Sequence, residues 1–560
     1  MASAANPWVD GLTIGHVLRE TANKTPTRIA ADFPSFDLSF TWAEFDQAVD
    51  RAAKSLLALG FERGDRFGVW AANCPAWLIQ QYATARIGVI LVTINPGYQL
   101  TELRFAISHS QIRGLALLDH FKSSDCLEII ESISPSLKGP STIEGEYREF
   151  PELKWIVGIG TRVSPGMFAW DDFLRVGAKT SDEELAAREA SLQPQDPINI
   201  QYTSGTTAMP KGATLSHRNI LLNAFYGGAN QGLSAVDCIC APVPLYHCFG
   251  CVLASLCAVV HGCRVVFPSE TFDAGATLKS IEETEATAIY GVPTMFIALF
   301  EHKDYPNRNL RSLRTGIMAG SPCPIALMKR VTSEMGATEM TVGYGQTEAS
   351  PLLTQTTVDD PMELRVGTVG RPLPGIQVKI VDPETGAELG NSQAGEVCGF
   401  GHGVMLGYFR EPARTAEAID SDGWLHTGDL GLREPNGCYR ITGRLKDLII
   451  RGGENIYPRE IEEYLYRHPA VEDVQIVGVP DLKYGEEVLA WIKLRTGHSV
   501  TPQEIQSYCR AGLAHCKTPR YVQFVTSFPT TVTGKIQKFR IREIAIQQLG
   551  LGEAAKVETA

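Results

Sequence analysis

From about residue 65 onward the chain alternates short apolar runs with stretches whose apolar positions recur every three or four residues. The run at 67–72 predicts a strand, 76–87 a helix and 89–94 the next strand. The rhythm resumes with apolar runs at 198–202, 239–243, 263–267, 287–290, 314–318 and 340–342, most of them separated by helical patterns. Strands alternating with helices predict an α/β fold of parallel, doubly wound sheets. Around 366–443 the texture changes to short strand-like runs and Gly/Pro turns such as GRPLPG and DPETG, which predicts a small β-rich subdomain. After Arg444 the helix–strand rhythm returns. Pro458 suits the first turn of a helix whose apolar face includes Ile461, Tyr464 and Leu465. The expected organisation is a large domain at 1–444, with its β-rich part at 366–443, and a small, mobile α+β domain at 445–560.

Charge and composition narrow the function. The formal net charge is -12, so no basic face for nucleic acid is expected. An anionic ligand must then be held by local donors. The first residues contain no apolar signal core, carry Asp10, and reach no basic residue before Arg19. That argues against a secretory signal and an Arg-rich transit peptide. The most apolar stretch, 252–267, is interrupted by His261 and Arg264, so no transmembrane segment is expected. The protein is expected to be cytoplasmic, with its 13 cysteines reduced, and a homodimer is left open. Cys248 and Cys251 form one C-x-x-C, but no second C-x-x-C or His pair supplies the remaining ligands of a zinc site, so two small semi-buried residues is the simpler reading.

The strongest chemical signal is TSGTTAMPKG at 203–212, fed by a predicted strand, with Ser216 placed to cap the following helix. Glycines let backbone N–H groups approach phosphate, hydroxyls add donors, and Lys211 adds a positive charge. The spacing is not that of a P-loop. Four other strings also follow predicted strands: Tyr246-His247, YGVPT at 290–294, AGSP at 319–322 and YGQTE at 344–348. The carboxyl ends of strands in a doubly wound sheet share one edge, where ligands bind, so these motifs are expected to converge in one crevice. There Glu348 offers an oxygen ligand for Mg²⁺, Thr347 a phosphate donor and Tyr344 a flat face for a purine. The small residues Gly316, Ala319, Gly320, Gly343 and Gly345 leave room for a ligand and its apolar tail. Farther on, Asp429 in the TGD string suits ribose hydroxyls, Arg444 a second ribose or phosphate contact, and the glycine pair Gly452-Gly453 the passage of a thin ligand arm. Lys535 lies in a TGK turn, which by itself reads as a solvated turn.

Taken in order from about residue 40 to 543, these strings resemble the signature motifs of the adenylate-forming superfamily of acyl-CoA synthetases, adenylation domains and luciferases. PLYHCFG, YGVPTMF, AGSP, GRLKDLIIRGGENIYPREIE and GKIQKFRIRE look most like the medium-chain acyl-CoA synthetases of the family-member-2 group and their bacterial relatives. The resemblance implies ATP, Mg²⁺ and coenzyme A as small-molecule partners, and a set of roles. Thr203, Ser204, Gly205, Thr206, Thr207, Ala208, Met209, Pro210 and Lys211 would hold the ATP phosphates. Thr347 and Glu348 would serve the α-phosphate and Mg²⁺, with Glu348 as the metal ligand. Gly320, Tyr344, Asp429 and Arg444 would take the rest of the nucleotide. His247, Val292, Gly316, Ala319 and Gly345 would border the acyl group, and Gly452 and Gly453 the pantetheine tunnel. Lys446 would be the hinge of the small domain, and Lys535 would reach into the site for adenylation. One departure stands out: the loop usually has Gly where this chain has Ala208, and a positive φ there would cost about 1 kcal/mol.

Three alternatives to a fatty acyl-CoA synthetase are weighed. An aryl, short or branched-chain acid would change the substrate. A carrier-protein or luciferase-like acceptor would replace CoA, though no carrier domain follows in this chain. A non-catalytic nucleotide sensor would lack the acidic and basic residues that are intact here.

Overall fold

The computed structural model describes residues 7–138, 150–203, 210–321, 323–452, 454–531, 536–552 and 554. Ser204 to Met209, Pro322, Gly453 and Lys535 therefore lie outside the described residues.

The large N-terminal part is α/β, but its strands form two sheets. In the nine-stranded sheet the parallel run reads, from one side to the other, Glu339–Gly345, Thr315–Met318, Ala288–Gly291, Cys238–Cys240, Arg264–Val266 and Ile29–Phe33. The eight-stranded sheet contains Pro197–Thr203, Ile90–Ile94, Arg66–Trp70, Gly114–Leu117 and Trp155–Gly158, also parallel. Both sheets carry antiparallel members, which the alternating pattern does not predict. The most consequential is Lys211–Ser216, which pairs antiparallel with Pro197–Thr203. The segment 203–211 thus joins two strands of a hairpin, and the strand Lys211–Ser216 intervenes before the helix that Ser216 caps. That helix is His217–Asn230. Ser216 Oγ accepts from the Asn219 amide at 3.2 Å, and Asn219 Oδ1 accepts from the Ser216 amide at 2.8 Å. Each side chain satisfies the other's backbone donor, as in a capping box.

The β-rich texture corresponds to a four-stranded antiparallel sheet ordered Ile376–Val381, Gly395–Gly401, Leu425–Arg433, Tyr439–Arg444. After the short turn Leu445–Asp447 comes a separate five-stranded sheet, with Val471–Asp481 and Gly485–Leu494 as its long strands. Pro458 starts the helix Pro458–Leu465 as expected, Ile461 and Leu465 are fully buried, and Tyr464 is half-buried. Ile449, Ile461, Val474 and Ile492 belong to a core of this C-terminal part alone. Arg459 reaches back, donating to the Ile441 carbonyl at 2.8 Å. Among the described residues no helix is long and apolar enough to cross a membrane.

Candidate active site

Three of the sequence strings meet on one sheet edge because the strands before them are parallel neighbours. YGVPT leaves Ala288–Gly291, AGSP leaves Thr315–Met318, and YGQTE ends Glu339–Gly345. Cys238–Cys240, the strand preceding the His247 segment, is the next neighbour along the same sheet. Thr203 and Lys211, at the described ends of the TSGTTAMPKG string, belong to the other sheet, so the expectation of a single sheet edge is corrected to a junction between two sheets.

That junction is bridged by a residue the sequence reading passed over. The two-residue strand Gly407–Tyr408 pairs with Lys211–Ser216, Ala213 facing Tyr408. The Lys211 ammonium lies 4.9 Å from the centre of the Tyr408 ring, within cation–π range. The Tyr408 hydroxyl donates to Glu348 Oε1 at 2.8 Å. Lys211 from one sheet and Glu348 from the other thus share one aromatic residue. Glu348 and Thr347 sit in the turn Thr347–Ala349, and each is 8% exposed: largely withdrawn from solvent, yet not sealed off. The Glu348 carbonyl also accepts from the Met405 amide at 2.9 Å, tying the turn to the Gly407–Tyr408 segment.

A second network lies alongside. Tyr344 donates its hydroxyl to Asp429 Oδ2 at 3.0 Å, and Arg444 Nε pairs with Asp429 Oδ1 at the same distance. Asp429 and Arg444 face each other across the strands Leu425–Arg433 and Tyr439–Arg444, so the pair is fixed by register. Burial, and then the charge of Asp429, holds the Tyr344 phenol well above its ordinary range, which keeps it a donor. Burial works against the Arg444 cation, but Asp429 and Asp447 overcome it and raise its pKa. Lys446, two residues on, is lowered by burial and then by the Arg444 cation, and Lys211 adds to the same repulsion. The turn carrying Lys446 is therefore within electrostatic reach of both Arg444 and Lys211.

The small residues divide. Gly316 has φ +145°, and a Cβ there would run into the Ile289 carbonyl. A Cβ at Gly345 would run into the Pro351 carbonyl. Close backbone approach within the sheet explains both glycines, so neither needs an acyl chain to account for it. Gly320, at φ +84°, is exposed at the end of Thr315–Met318, and a Cβ there would lie 3.1 Å from Val292 Cγ1. Val292 and Ala319 are buried beside it. His247 is half-buried, and its Nδ1 accepts from the Phe249 amide at 3.3 Å. Cys248 Sγ lies 3.4 Å from that same nitrogen and 3.6 Å from Thr347 Oγ1, which links the His247 segment to the turn of Glu348. Cys248 and Cys251 are both buried, deeper than the semi-buried pair that the simpler reading of the C-x-x-C expects. A π-helical stretch, Phe249–Leu256, follows. In the C-terminal part Gly452 has φ +59° and donates its amide to the Tyr484 carbonyl at 2.8 Å. Thr203 is half-buried at the end of its strand, and its hydroxyl reaches the Lys211 carbonyl at 3.4 Å; Pro210 is half-buried beside Lys211.

The family model of the AMP-binding enzyme matches residues 18–409, and that of the AMP-binding enzyme C-terminal domain matches 460–535. YngI of Bacillus subtilis (strain 168) is 46% identical over 97% of this chain and 98% of its own. The medium-chain acyl-CoA ligase ACSF2, mitochondrial, of Danio rerio is 42% identical over 96% of this chain and 89% of its own. Among solved structures, the anthranilate CoA ligase AuaEII in complex with anthranoyl-AMP superposes with a TM-score of 0.84 at 25% identity, covering 96% of this chain and 98% of that one. ATP-bound MatB from Rhodopseudomonas palustris gives 0.81 at 27% identity, covering 95% and 99%. Sequence, domain order and shape agree along nearly the whole length, and the chain belongs to the AMP-binding enzyme family.

Proposed function

We propose that the protein is an AMP-forming acyl-CoA synthetase that joins a medium-chain fatty acid to coenzyme A through an acyl-adenylate. The observation that carries the reading is the meeting of Lys211 and Glu348 through Tyr408, beside the Tyr344–Asp429–Arg444 network. A phosphate-directed cation, a carboxylate and a sugar-directed pair then lie together as an ATP site requires.

The chemistry follows from charge. A carboxylate must approach the α-phosphorus of ATP and expel pyrophosphate, so two anions meet. Lys211 and Lys535 oppose that charge, the Thr347 hydroxyl donates to the α-phosphate, and Asp429 with Arg444 holds the ribose, so the reacting groups stay in line. Glu348 fits Mg²⁺, since it is a hard oxygen donor whose one oxygen is already oriented by Tyr408, and the ion would neutralise phosphate charge when bound. The 445–560 part then rotates about Lys446, withdraws Lys535, and brings Gly452 and Gly453 to the thiol path. The CoA thiol attacks the acyl carbonyl and AMP leaves.

Removing the Tyr408 hydroxyl tests the carrying observation. A hydrogen bond to a charged group is worth about 1.5–3 kcal/mol. Tyr408→Phe is therefore expected to lower ATP–pyrophosphate exchange about tenfold or more, with partial recovery at raised Mg²⁺. Unchanged exchange at limiting Mg²⁺ would show that Glu348 needs no such support.

The substrate is tested by thioester formation over a panel from acetate to palmitate, with benzoate and cinnamate. Each methylene buried beside Val292 and Ala319 adds about 0.8 kcal/mol until the slot is full. We expect kcat/KM to rise from acetate to the medium chains and then level or fall. The likeness to an anthranilate CoA ligase favours an aryl acid as the second reading, and a preference for aromatic acids alone would select it. Product formation without CoA would point instead to a different acceptor.

A further inference from the structure

A second group of chemically active side chains lies in the four-stranded antiparallel sheet and has no part in the reaction above. Glu396 and Cys398 are two residues apart on the strand Gly395–Gly401, so they face the same way. Cys398 is paired with His426 on Leu425–Arg433. The result is a carboxylate oxygen, a thiol sulfur and an imidazole nitrogen all within 4.8 Å of one another. His426 Nδ1 lies 2.8 Å from Glu396 Oε2 and 3.5 Å from Cys398 Sγ. On the far side of the ring, Nε2 lies 3.6 Å from Asp420 Oδ2.

This arrangement asks more of His426 than a neutral ring can supply. A neutral imidazole has one N–H, and here two carboxylates flank its two nitrogens. An imidazolium would serve both carboxylates, yet the Cys398 sulfur would still point at a nitrogen already engaged by Glu396. A cation between the three donors resolves all the contacts together. Nδ1, Oε2 and Sγ become its ligands, and Nε2–H is left to donate to Asp420. A carboxylate behind a ligating histidine is the usual outer-shell partner of such a site. Lys379, opposite Cys398 on the neighbouring strand, places its ammonium over the Trp424 ring, 4.1 Å from its centre.

We propose that Glu396, Cys398 and His426 bind one borderline-soft divalent cation of the zinc class, with Asp420 orienting His426. The thiol proton is released to solvent as the sulfur binds, and a water completes the four positions that zinc prefers. Thiolate and imidazole select zinc over magnesium, so this site is distinct in chemistry from the one at Glu348. Access is from the side of His426 and Asp420, whose side chains are about one-third exposed, while Cys398 is fully buried.

The site has a consequence for the nucleotide network. The other oxygen of Glu396 accepts from the Gly428 amide at 3.0 Å, and His426 directly precedes Thr427-Gly428-Asp429 on the same strand. A cation on Glu396 and His426 therefore clamps the stretch of strand that presents Asp429 to Tyr344 and Arg444.

Cobalt(II) titrated into the metal-stripped full-length protein tests the site. One equivalent is expected to produce a near-ultraviolet thiolate-to-cobalt absorption that Zn²⁺ displaces. Cys398→Ser should abolish it. Asp420→Asn, at a partly exposed position that does not threaten the fold, should weaken binding about 10- to 100-fold. Absence of the band would overturn the proposal in favour of an imidazolium bridging two carboxylates. A band of full strength in Cys398→Ser would also overturn it, by assigning the metal to another cysteine such as the partly exposed Cys516.

Discussion

Replacing Glu348 with Gln should leave the fold intact and lower ATP–pyrophosphate exchange roughly 100-fold or more. The fold survives because the amide oxygen of Gln still accepts from Tyr408, whose hydroxyl lies 2.8 Å from Glu348 Oε1. The backbone tie from Met405 to the carbonyl of residue 348 does not involve the side chain at all. What is lost is the negative charge, and with it the proposed Mg²⁺ ligand. The variant should need far more Mg²⁺ for half-maximal exchange, while its circular dichroism matches that of the parent. Near-normal exchange across a Mg²⁺ titration would remove Glu348 from the site. Combined with Tyr408→Phe, the losses should fall short of additive, because both substitutions act on one hydrogen-bonded pair. Full additivity would mean that Tyr408 serves Lys211, on its other side, rather than Glu348.

The sequence was most legible where chemistry and local structure coincide. Ser216 reads as a cap and is one, and Pro458 reads as a helix start and is one. The apolar runs before YGVPT, AGSP and YGQTE are parallel neighbours, so their order along the chain becomes their order along a sheet edge. Three things stayed hidden, each for a physical reason. Lys211–Ser216 is short and its sequence, KGATLS, has no strong apolar alternation, so the hairpin it forms with Pro197–Thr203 has little local signature. Tyr408 lies in a glycine-rich stretch that reads as turns, and its importance arises only when that stretch adds a strand beside Lys211. Gly316 and Gly345 look like space left for a ligand, but a Cβ at either would run into a backbone carbonyl, that of Ile289 or of Pro351. How the strands pair and approach decides all three, and a single sequence carries that information weakly. Glu396, Cys398 and His426 illustrate the same limit: 28 residues separate Cys398 from His426, and only strand register joins them.

The largest separation of effects is expected from Lys535 and Lys446 taken together. Lys535, which lies outside the described residues, is proposed to place its charge where the substrate carboxylate meets the α-phosphate. It has no acid–base duty when a thiol attacks the finished adenylate. Lys535→Ala should therefore abolish most ATP–pyrophosphate exchange yet still convert a supplied acyl-adenylate and CoA to acyl-CoA. Lys446 sits in the short turn Leu445–Asp447, between the strand that carries Arg444 and the first strand of the C-terminal sheet, Ile449–Arg451. Few residues separate two independently cored units here, which is the condition a pivot requires. Proline at 446 fixes φ near -65° and resists the backbone rotation that would swing one unit past the other. Lys446→Pro should thus keep adenylation and stall the thioester step, the reverse of Lys535→Ala. Burial and the Arg444 cation disfavour charge on Lys446. Lys446→Ala, which removes the ammonium but leaves the backbone free to rotate, is the control, and it should not reproduce the separation of the two steps expected of Lys446→Pro. Stopped-flow or quench measurements of each half-reaction in the three variants decide the matter. Equal losses in both steps for Lys535→Ala and Lys446→Pro, or no loss in either, would mean that the two reactions do not alternate through rotation of the small domain in this protein.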